Sequence, residues 1–320
     1  MGMKKALVLL LVLLLTAAYV PLSRAQMAVV VFDEGHGQYY DSAKLDRFLS
    51  DLRSLYKVVI NRDAITEEDL AQADVLIIPN PRRPFSQDEV SVIKRFVERG
   101  GILLVMGDWY RYINVDELNK LTEDVGITFT KTEVMDDKYY DYRPYFPLVD
   151  VWADNEAARF VKSKVKYRKI KYNGCALELS GDAKPILLSR KTSYVVNERG
   201  ARIKPGPAVV AAFAPLGEGL VIAIGGSRVA ATKYFYGKVN FGNKAFMLAL
   251  VEWALKTAGR LRVSVKVTAT VYPSLIPVGK EATVRVITVV RNVGRPVSNV
   301  TVELSSEFYA ETKVLGAMGA

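Results

Sequence analysis

The sequence predicts an α/β fold, a mostly parallel sheet with helices on both faces (flavodoxin-like), followed by a partial Ig-like β-sandwich. From Met27 onwards, short apolar runs alternate with segments of helical periodicity, as in a parallel sheet covered on both faces. After Gly259 the pattern changes to strands with period-two alternation. A chain of 320 residues has room for two domains. We therefore expect a signal peptide at 1–25, an α/β domain at 26–259 and an incomplete Ig-like domain at 260–320.

The first half of the α/β region alternates strands and helices. The unbroken apolar run Ala28–Phe32 is typical of a buried parallel strand. Leucine and phenylalanine residues spaced three and four apart predict a helix over Ser42–Leu55. Thr66 and Ser86 each precede an acidic residue three positions on, which predicts capping boxes that start two more helices. Further strands are expected at Lys57–Ile60, Asp74–Ile78, Ile102–Met106 and Ile127–Lys131, and a helix at Val115–Val125.

The middle of the chain, 132–205, departs from this pattern. Basic residues alternate over Lys162–Lys171, which predicts an edge strand with a bulge near Lys169. The α/β pattern then returns with a strand pair, Ala208–Phe213 and Leu220–Ile224, and a helix over Asn243–Ala258. Beyond Gly259 only three or four strands are expected, fewer than the roughly seven of a complete sandwich. We expect either that the chain continues or that partner strands come from elsewhere.

The N-terminus has the pattern of a secretory signal peptide. Two lysines in Met1–Lys5 precede the apolar run Ala6–Val20, and small residues follow in Pro21–Gln26. This pattern predicts an exported protein, located outside the cell or at the outer face of the cytoplasmic membrane. An uncleaved N-terminal anchor is the alternative.

Composition narrows the classes of partner. The formal net charge is +10. For an exported chain, a basic surface favours an envelope or membrane protein partner, an acidic glycan or an anionic membrane surface, and no nucleic acid. A solvated surface of mixed charge is the alternative. Cys175 is the single cysteine, so no intramolecular disulfide can form, and the scarcity of glutamine with many charged residues suggests a heat-adapted source.

Polar residues follow several of the predicted strands. Ligands of open parallel sheets bind beyond the carboxyl ends of the strands. His36 is the single histidine and lies between two glycines. The ligand-binding candidates at these strand ends are Asp33, Glu34, His36, Asn80, Asp108 and Ser227.

Three roles are open for these residues: a structural role, ligand binding or acid–base catalysis. The spacing matches no established metal motif, and the sequence predicts neither a metal nor a cofactor. Aspartates after strands also cap helices or hold loops through backbone N–H groups.

A second group of candidates lies in a loop rich in tyrosine. Tyrosine suits sugar stacking or protein contact, because its ring is apolar and its hydroxyl is polar. The partner-binding candidates are Tyr139, Tyr140, Tyr142 and Tyr145. The alternative is a loop folded onto its own domain.

Three segments together resemble the class I glutamine amidotransferase-like family: the strand ending in Asp33–Gly37, the segment Gly100–Asp108, and Gly219–Ser227 leading into Asn243–Trp253. The resemblance covers roughly Met27–Gly259. It is strongest to the non-catalytic variety seen in intraflagellar-transport proteins, gliding-motility-type ABC transporter auxiliary subunits and uncharacterised archaeal membrane-associated proteins.

The resemblance implies a protein that is not an enzyme. Where amidotransferases place their catalytic cysteine, this chain has Met106-Gly107-Asp108, and no histidine follows His36. We expect a non-catalytic extracytoplasmic binding or assembly module at the cell envelope, in association with a transporter. The alternatives are a hydrolase acting on glycan or peptide through Asp33, His36 and Asp108, and a solute-binding sensor that uses the same crevice.

Overall fold

The computed structural model describes residues 27–166, 169–233, 235–238 and 240–259, together with the backbone of five strands between 266 and 315. The expected signal peptide falls outside the described residues. The chain divides into two compact units, 28–261 and 1–27 with 262–320, and each is considered by itself.

The α/β unit is built from short strands and six α-helices among the described residues. The strands are β1 (Val29–Asp33), β2 (Lys57–Asn61), β3 (Val75–Pro79), β4 (Ile102–Met106), β5 (Ile127–Phe129), β6 (Thr132–Asp136), β7 (Leu148–Val149), β8 (Val151–Trp152), β9 (Ile170–Lys171), β10 (Leu177–Leu179), β11 (Lys184–Leu188), β12 (Ser193–Asn197), β13 (Arg202–Pro205), β14 (Val209–Leu216) and β15 (Gly219–Ile224). The helices are α1 (Asp46–Arg53), α2 (Glu67–Leu70), α3 (Gln87–Glu98), α4 (Val115–Thr122), α5 (Glu156–Val165) and α6 (Asn243–Thr257).

One large sheet organises this unit. Its first five strands lie in the order β2-β1-β3-β4-β15 and all pair in parallel. This is the strand order of flavodoxin-like doubly wound sheets. On the other side of β15 the sheet continues with antiparallel strands β14, β10 and β5, and β11 and β8 join at β14. The α/β fold and the parallel half are as predicted, whereas most of the antiparallel half was missed.

The parallel strands are apolar throughout because helices cover both faces of the sheet. In β4, Leu104 packs in the core beneath α1, α5 and α6, while Leu103 packs in a second core beneath α3 and α4. Both leucines are buried. Burial of a leucine side chain contributes about 1.5–3 kcal/mol, and a strand with two buried faces gains this at every position.

The predicted capping boxes at Thr66 and Ser86 are confirmed. The Ser86 hydroxyl accepts a hydrogen bond from the Glu89 N–H, and the Glu89 carboxylate accepts one from the Ser86 N–H. Thr66 and Asp69 make the same exchange at α2. The first helix is shorter than expected, because α1 begins at Asp46 rather than at Ser42.

The strand predicted over Lys162–Lys171 is wrong. The first four residues of this segment, 162–165, belong to α5, whose first turn is capped by Asn155 through a hydrogen bond from the Ala158 N–H to the Asn155 side chain. Val161 and Val165, four residues apart, are buried, and the lysines between them face away from the core. Lys162 and Lys164 therefore lie on the outer side of a helix, which ends at Val165, and the strand at the end of the segment is the two-residue β9.

Beyond the α/β unit the described backbone forms antiparallel strands. They are β16 (Lys266–Tyr272), β17 (Arg285–Asn292), β18 (Arg295–Pro296), β19 (Val300–Ser306) and β20 (Tyr309–Leu315). β16, β17 and β18 form one sheet, and β19 pairs with β20. These pairings agree with the predicted period-two strands, and the Ig-like assignment is not confirmed by them.

Candidate functional site

The predicted strand-end residues gather at the carboxyl edge of the parallel strands. Asp33 closes β1, Asn80 follows β3, Asp108 follows β4 and Ser227 follows β15. These four side chains are buried, as is His36. The site is therefore an interior feature of the fold, and its exposed rim is made by other residues.

His36 lies between two carboxylates. Its Nδ1 is 2.9 Å from Oδ2 of Asp33, and its Nε2 is 2.9 Å from Oε1 of Glu89. Glu89 lies in the first turn of α3, so the histidine connects that helix to the end of β1. Sequence analysis missed this role of Glu89, because the capping box already accounted for its carboxylate.

Burial lowers the pKa of the His36 imidazole, but the hydrogen bonds and charges of Asp33 and Glu89 outweigh burial and raise the pKa above its usual value of 6.5. Both ring nitrogens lie within hydrogen-bond distance of carboxylate oxygens. A catalytic base needs a free nitrogen that accepts a proton. The geometry therefore does not support the expected hydrolase that uses Asp33, His36 and Asp108, and Asp108 belongs to a separate group of side chains.

Asn80, Ser227 and Glu34 hold loops in place. Asn80 accepts a hydrogen bond from the Asn114 N–H at 3.0 Å and donates one to the Tyr112 carbonyl at 2.8 Å. The Ser227 hydroxyl donates to the Gly107 carbonyl at 2.8 Å. Glu34 accepts from the Ser42 N–H and forms an ion pair with Arg62. These polar groups are used within the fold.

Asp108 and Glu133 form a second buried acidic group. Burial raises the pKa of Asp108 to about 6 and that of Glu133 to about 7, and the charge of Arg228 partly opposes both shifts. Oδ1 of Asp108 accepts from the Trp109 N–H at 2.9 Å. Oε1 of Glu133 accepts from the Asn173 amide at 2.8 Å. Burial therefore brings the pKa of both carboxyl groups closer to neutral pH than that of an exposed carboxyl group.

Glycines let the backbone segments beside this acidic group approach each other. A Cβ added at Gly174 would overlap the carbonyl oxygen of Gly225, and one added at Gly226 would overlap the carbonyl oxygen of Asn173. This close approach joins the end of β15 to the segment before β10. Sequence analysis missed Glu133 and Asn173, because both lie in the divergent middle of the chain, where no periodicity identifies their positions.

The exposed rim of the site carries arginines stacked on aromatic rings. The Arg82 guanidinium lies 5.1 Å from the centre of the Tyr39 ring, and that of Arg111 lies 5.3 Å from the Trp109 ring. Arg143 lies 5.0 Å from the Tyr142 ring. All three arginines are exposed. The sequence alone does not predict these pairs, because arginine, tyrosine and tryptophan are also common on protein surfaces that have no binding role.

The four tyrosine candidates lie in one exposed loop, 137–147, which we call the tyrosine loop. All four are exposed, and Tyr142 most of all, at 75%. The loop is anchored by Lys171, which forms an ion pair with Asp141. The Lys171 ammonium lies 4.8 Å from the Phe146 ring, 4.9 Å from the Phe235 ring and 5.4 Å from the Phe241 ring.

Two features are absent from the part of the chain that the structure describes. No helix there combines the length and the apolar composition required to cross a bilayer. No group of three or more histidine, cysteine, aspartate or glutamate side chains there is arranged to hold a metal ion.

The fold and the site together define an α/β domain whose polar strand ends bind neighbouring protein atoms and whose exposed rim carries tyrosine and arginine. Residues 29–154 match the family model of the IFT52 GIFT domain. The chain is 34% identical to intraflagellar transport protein 52 homolog of Mus musculus over 92 residues, which cover 28% of this chain and 22% of that protein. It is 30% identical to the Homo sapiens homolog over 92 residues, covering 28% of this chain and 21% of the relative. The chain thus matches only about a fifth of the length of these curated relatives.

A solved structure supports the fold. The mmIFT52 N-terminal domain aligns with a TM-score of 0.59 and 22% identity, covering 71% of this chain and 97% of that domain. The matched family is that of a transport protein without enzymatic activity, and the prediction that this chain is not an enzyme is confirmed by the comparison.

The same matches correct several predictions. The expected class I glutamine amidotransferase-like domain in an archaeal-type exported protein is wrong, because the matched model is the IFT52 GIFT domain. The expected extracytoplasmic module at the cell envelope, beside a transporter, is wrong because the relatives are intraflagellar transport proteins. These relatives also contradict the expected exported location at the outer face of the membrane and the heat-adapted source. The alternative of a solute-binding sensor has no support either.

Proposed function

We propose that this chain is a non-enzymatic, protein-binding subunit of an intraflagellar-transport-type assembly, and that it binds its protein partner through the tyrosine loop. The match of residues 29–154 to the IFT52 GIFT domain supports the class. The observation that carries the binding site is the exposure of Tyr139, Tyr140, Tyr142 and Tyr145 on a loop that is firmly anchored.

The loop has the physical character of a binding surface. Tyrosine is enriched at protein interfaces because it offers a large apolar face and a hydroxyl at little cost in conformational entropy. Here Lys171 fixes the base of the loop through Asp141 and Phe146, while the tyrosine rings remain outside. A fixed loop loses less entropy on binding than a mobile one.

The proposal includes the domain bounds and the strand-end residues predicted from the sequence. The α/β domain at 26–259 would supply the binding surface, and the region at 260–320 would contribute an Ig-like β-sandwich. The ligand candidates Asp33, Glu34, His36, Asn80, Asp108 and Ser227 would shape the edge from within, since their polar groups bind neighbouring protein atoms. An envelope or membrane partner is not part of the proposal.

Site-specific photo-crosslinking in cells that produce the full chain tests this function. A photoreactive phenylalanine derivative is placed at Tyr140 or Tyr142, and as a control at Val59, an exposed residue on strand β2. We expect one defined protein to crosslink from both loop positions and not from Val59. The crosslink should weaken when Tyr139→Ala and Tyr145→Ala are combined with the label at Tyr142.

Two outcomes would contradict the proposal. One is equal crosslinking of the same proteins from Val59 and from the loop. The other is a loop crosslink that is unaffected by removal of the neighbouring tyrosine rings. Circular dichroism of each purified variant establishes that the fold is retained.

A further inference from the structure

Three exposed arginines lie at the carboxyl edge of the sheet. Arg82, Arg111 and Arg143, which we call the edge arginines, form no ion pair with any residue that the structure describes. Several other arginines are ion-paired: Arg62 with Glu34, Arg95 with Glu67, Arg159 with Asp154, Arg190 with Asp150 and Arg202 with Asp137.

The edge arginines lie beside aromatic rings, as Arg190 and Arg202 also do. Each edge-arginine guanidinium lies between 5.0 and 5.3 Å from the centre of an aromatic ring. Stacking of this kind contributes about 0.5–1 kcal/mol at an exposed site and restricts the orientation of the planar guanidinium. Its five N–H groups remain available to acceptors from outside the chain.

Contacts in the interior connect the three positions. Arg82 and Arg111 act on the buried acidic group, because the charge of Arg82 lowers the pKa of Asp108 and that of Arg111 lowers the pKa of Glu133. The Asn173 amide that holds Glu133 also donates to the Tyr145 carbonyl at 3.1 Å, in the same loop as Arg143. Arg82 and Arg111 therefore lie near the same buried group, and Arg143 lies in the loop that is bonded to it.

Four acidic side chains beneath this edge are buried. Asp33 and Glu89 bind His36, and Asp108 and Glu133 lie beneath the rim. The aspartates of the tyrosine loop, Asp137 and Asp141, are ion-paired with Arg202 and Lys171. The outward surface thus presents unpaired guanidinium groups together with exposed tyrosines.

We propose that the edge arginines bind carboxylates of an acidic segment of the protein partner. The inference rests on the proposed function and adds the chemistry of the partner. A planar guanidinium binds a carboxylate through two parallel hydrogen bonds. A guanidinium that an aromatic ring already orients loses little conformational freedom when it does so. The tyrosine hydroxyls can donate to further carboxylate oxygens.

Fluorescence anisotropy on the full chain tests this inference. The probe is a fluorescein-labelled peptide of alternating glutamate and serine, and the comparison peptide has glutamine in place of glutamate. We expect the acidic peptide to bind and the neutral one to bind far more weakly. The triple variant Arg82→Gln, Arg111→Gln, Arg143→Gln should raise the Kd of the acidic peptide by at least about tenfold.

A matched control removes the same charge from the opposite edge of the sheet. Arg53, Lys57 and Lys256 are exposed where α1 ends, β2 begins and α6 ends. Their combined replacement by glutamine should change the Kd by less than about twofold, because screened charges act mainly at short range. An equal loss of affinity in both triple variants would overturn the inference, since net charge alone would then explain binding.

Other anionic ligands are included as competitors. The competitors are a single-stranded oligonucleotide, vesicles of anionic phospholipid and the unlabelled acidic peptide, compared at equal concentrations of charge. The inference would be overturned if the oligonucleotide or the vesicles displaced the labelled peptide at a lower charge concentration than the unlabelled peptide does. The crosslinking experiment separates it from the proposed function. If the loop crosslink persists in the edge-arginine triple variant and the acidic peptide does not bind the unmodified chain, the protein partner is retained. The proposal that this partner is acidic is then rejected.

Discussion

At Asp33, His36 and Glu89, two carboxylates bind one imidazole. An unpaired buried charge costs several kcal/mol, so each of the three groups depends on the others. The arrangement links β1 to the first turn of α3, and Phe85 packs against the imidazole with the ring centres 4.1 Å apart. The side chains most suggestive of catalysis thus act as a structural connection.

The pKa of His36 can be measured without ambiguity because the chain has a single histidine. We expect the imidazole resonances in proton NMR to titrate with a midpoint above 6.5, in line with the raised pKa. Because the pKa of His36 is raised in the folded chain, its protonated imidazole stabilises the fold. This contribution is fully present below the unfolded pKa of 6.5 and is lost as pH rises through the folded pKa.

The variant Glu89→Gln removes one charge and keeps a residue type that suits a capping box. It should lower the midpoint, while Glu67→Gln in the exposed first turn of α2 should leave it unchanged. A midpoint at or below 6.5 in the unmodified chain would show that the carboxylates do not hold the imidazole in its charged form.

Among the elements, the turn after β15 lies in close contact with the segment before β10, beside the candidate site. Gly225 and Gly226 pass against Asn173 and Gly174 with no room for a side chain. The Cys175 N–H donates to the Gly225 carbonyl at 2.9 Å. These contacts hold the segment before β10 beside the end of β15, next to the acidic group of Asp108 and Glu133.

Gly174→Ala should therefore destabilise the chain by more than about 3 kcal/mol, because the backbone at Gly225 must move. Gly181→Ala is a matched control. Nothing lies within 4 Å of a Cβ at Gly181, and its φ of +58° alone should cost about 1–2 kcal/mol. Urea denaturation measures both free energies of unfolding. Similar losses for the two variants would show that close packing at Gly174 is not limiting.

Periodicity predicted the elements whose burial follows one regular face. β4 was predicted with its observed bounds, α3 with its observed start after Ser86, and α6 to within one residue, because the buried positions of each element are mostly apolar. α5 was mistaken for a strand because its buried face consists of two alanines and two valines, which leave the lysine spacing as the strongest pattern. Strands of two or three residues, such as β7 and β10, are too short to show a period.

For the site, sequence reasoning located the residues that follow strands, and the structure brings Asp33, His36, Asn80, Asp108 and Ser227 to one edge. It had no means to find their partners. Glu89, Glu133 and Arg228 reach the edge from a helix, an antiparallel strand and a turn that are distant in sequence. Single-sequence patterns carry no information on such contacts, and the choice between catalytic and structural roles depends on them.

At the scale of the whole molecule, the parallel half of the sheet is closed by a late segment. The strands β2, β1, β3 and β4 come from the first third of the chain, whereas β15 comes after the antiparallel region. The family match at 29–154 includes the first four of these strands and ends before β15. The matched region therefore depends on later residues to complete its sheet.

This order has a consequence during protein synthesis. β4 pairs with β15, from which it is separated by more than a hundred residues. At a synthesis rate of about 5–20 residues per second, one edge of β4 stays unpaired for on the order of ten seconds before its partner strand is made. Ribosome-bound chains that end before Gly219 should be digested by added protease faster than chains in which Ile224 has left the exit tunnel. Equal digestion would show that another segment protects that edge, whereas faster digestion of the shorter chains would show that the edge stays accessible until β15 has emerged.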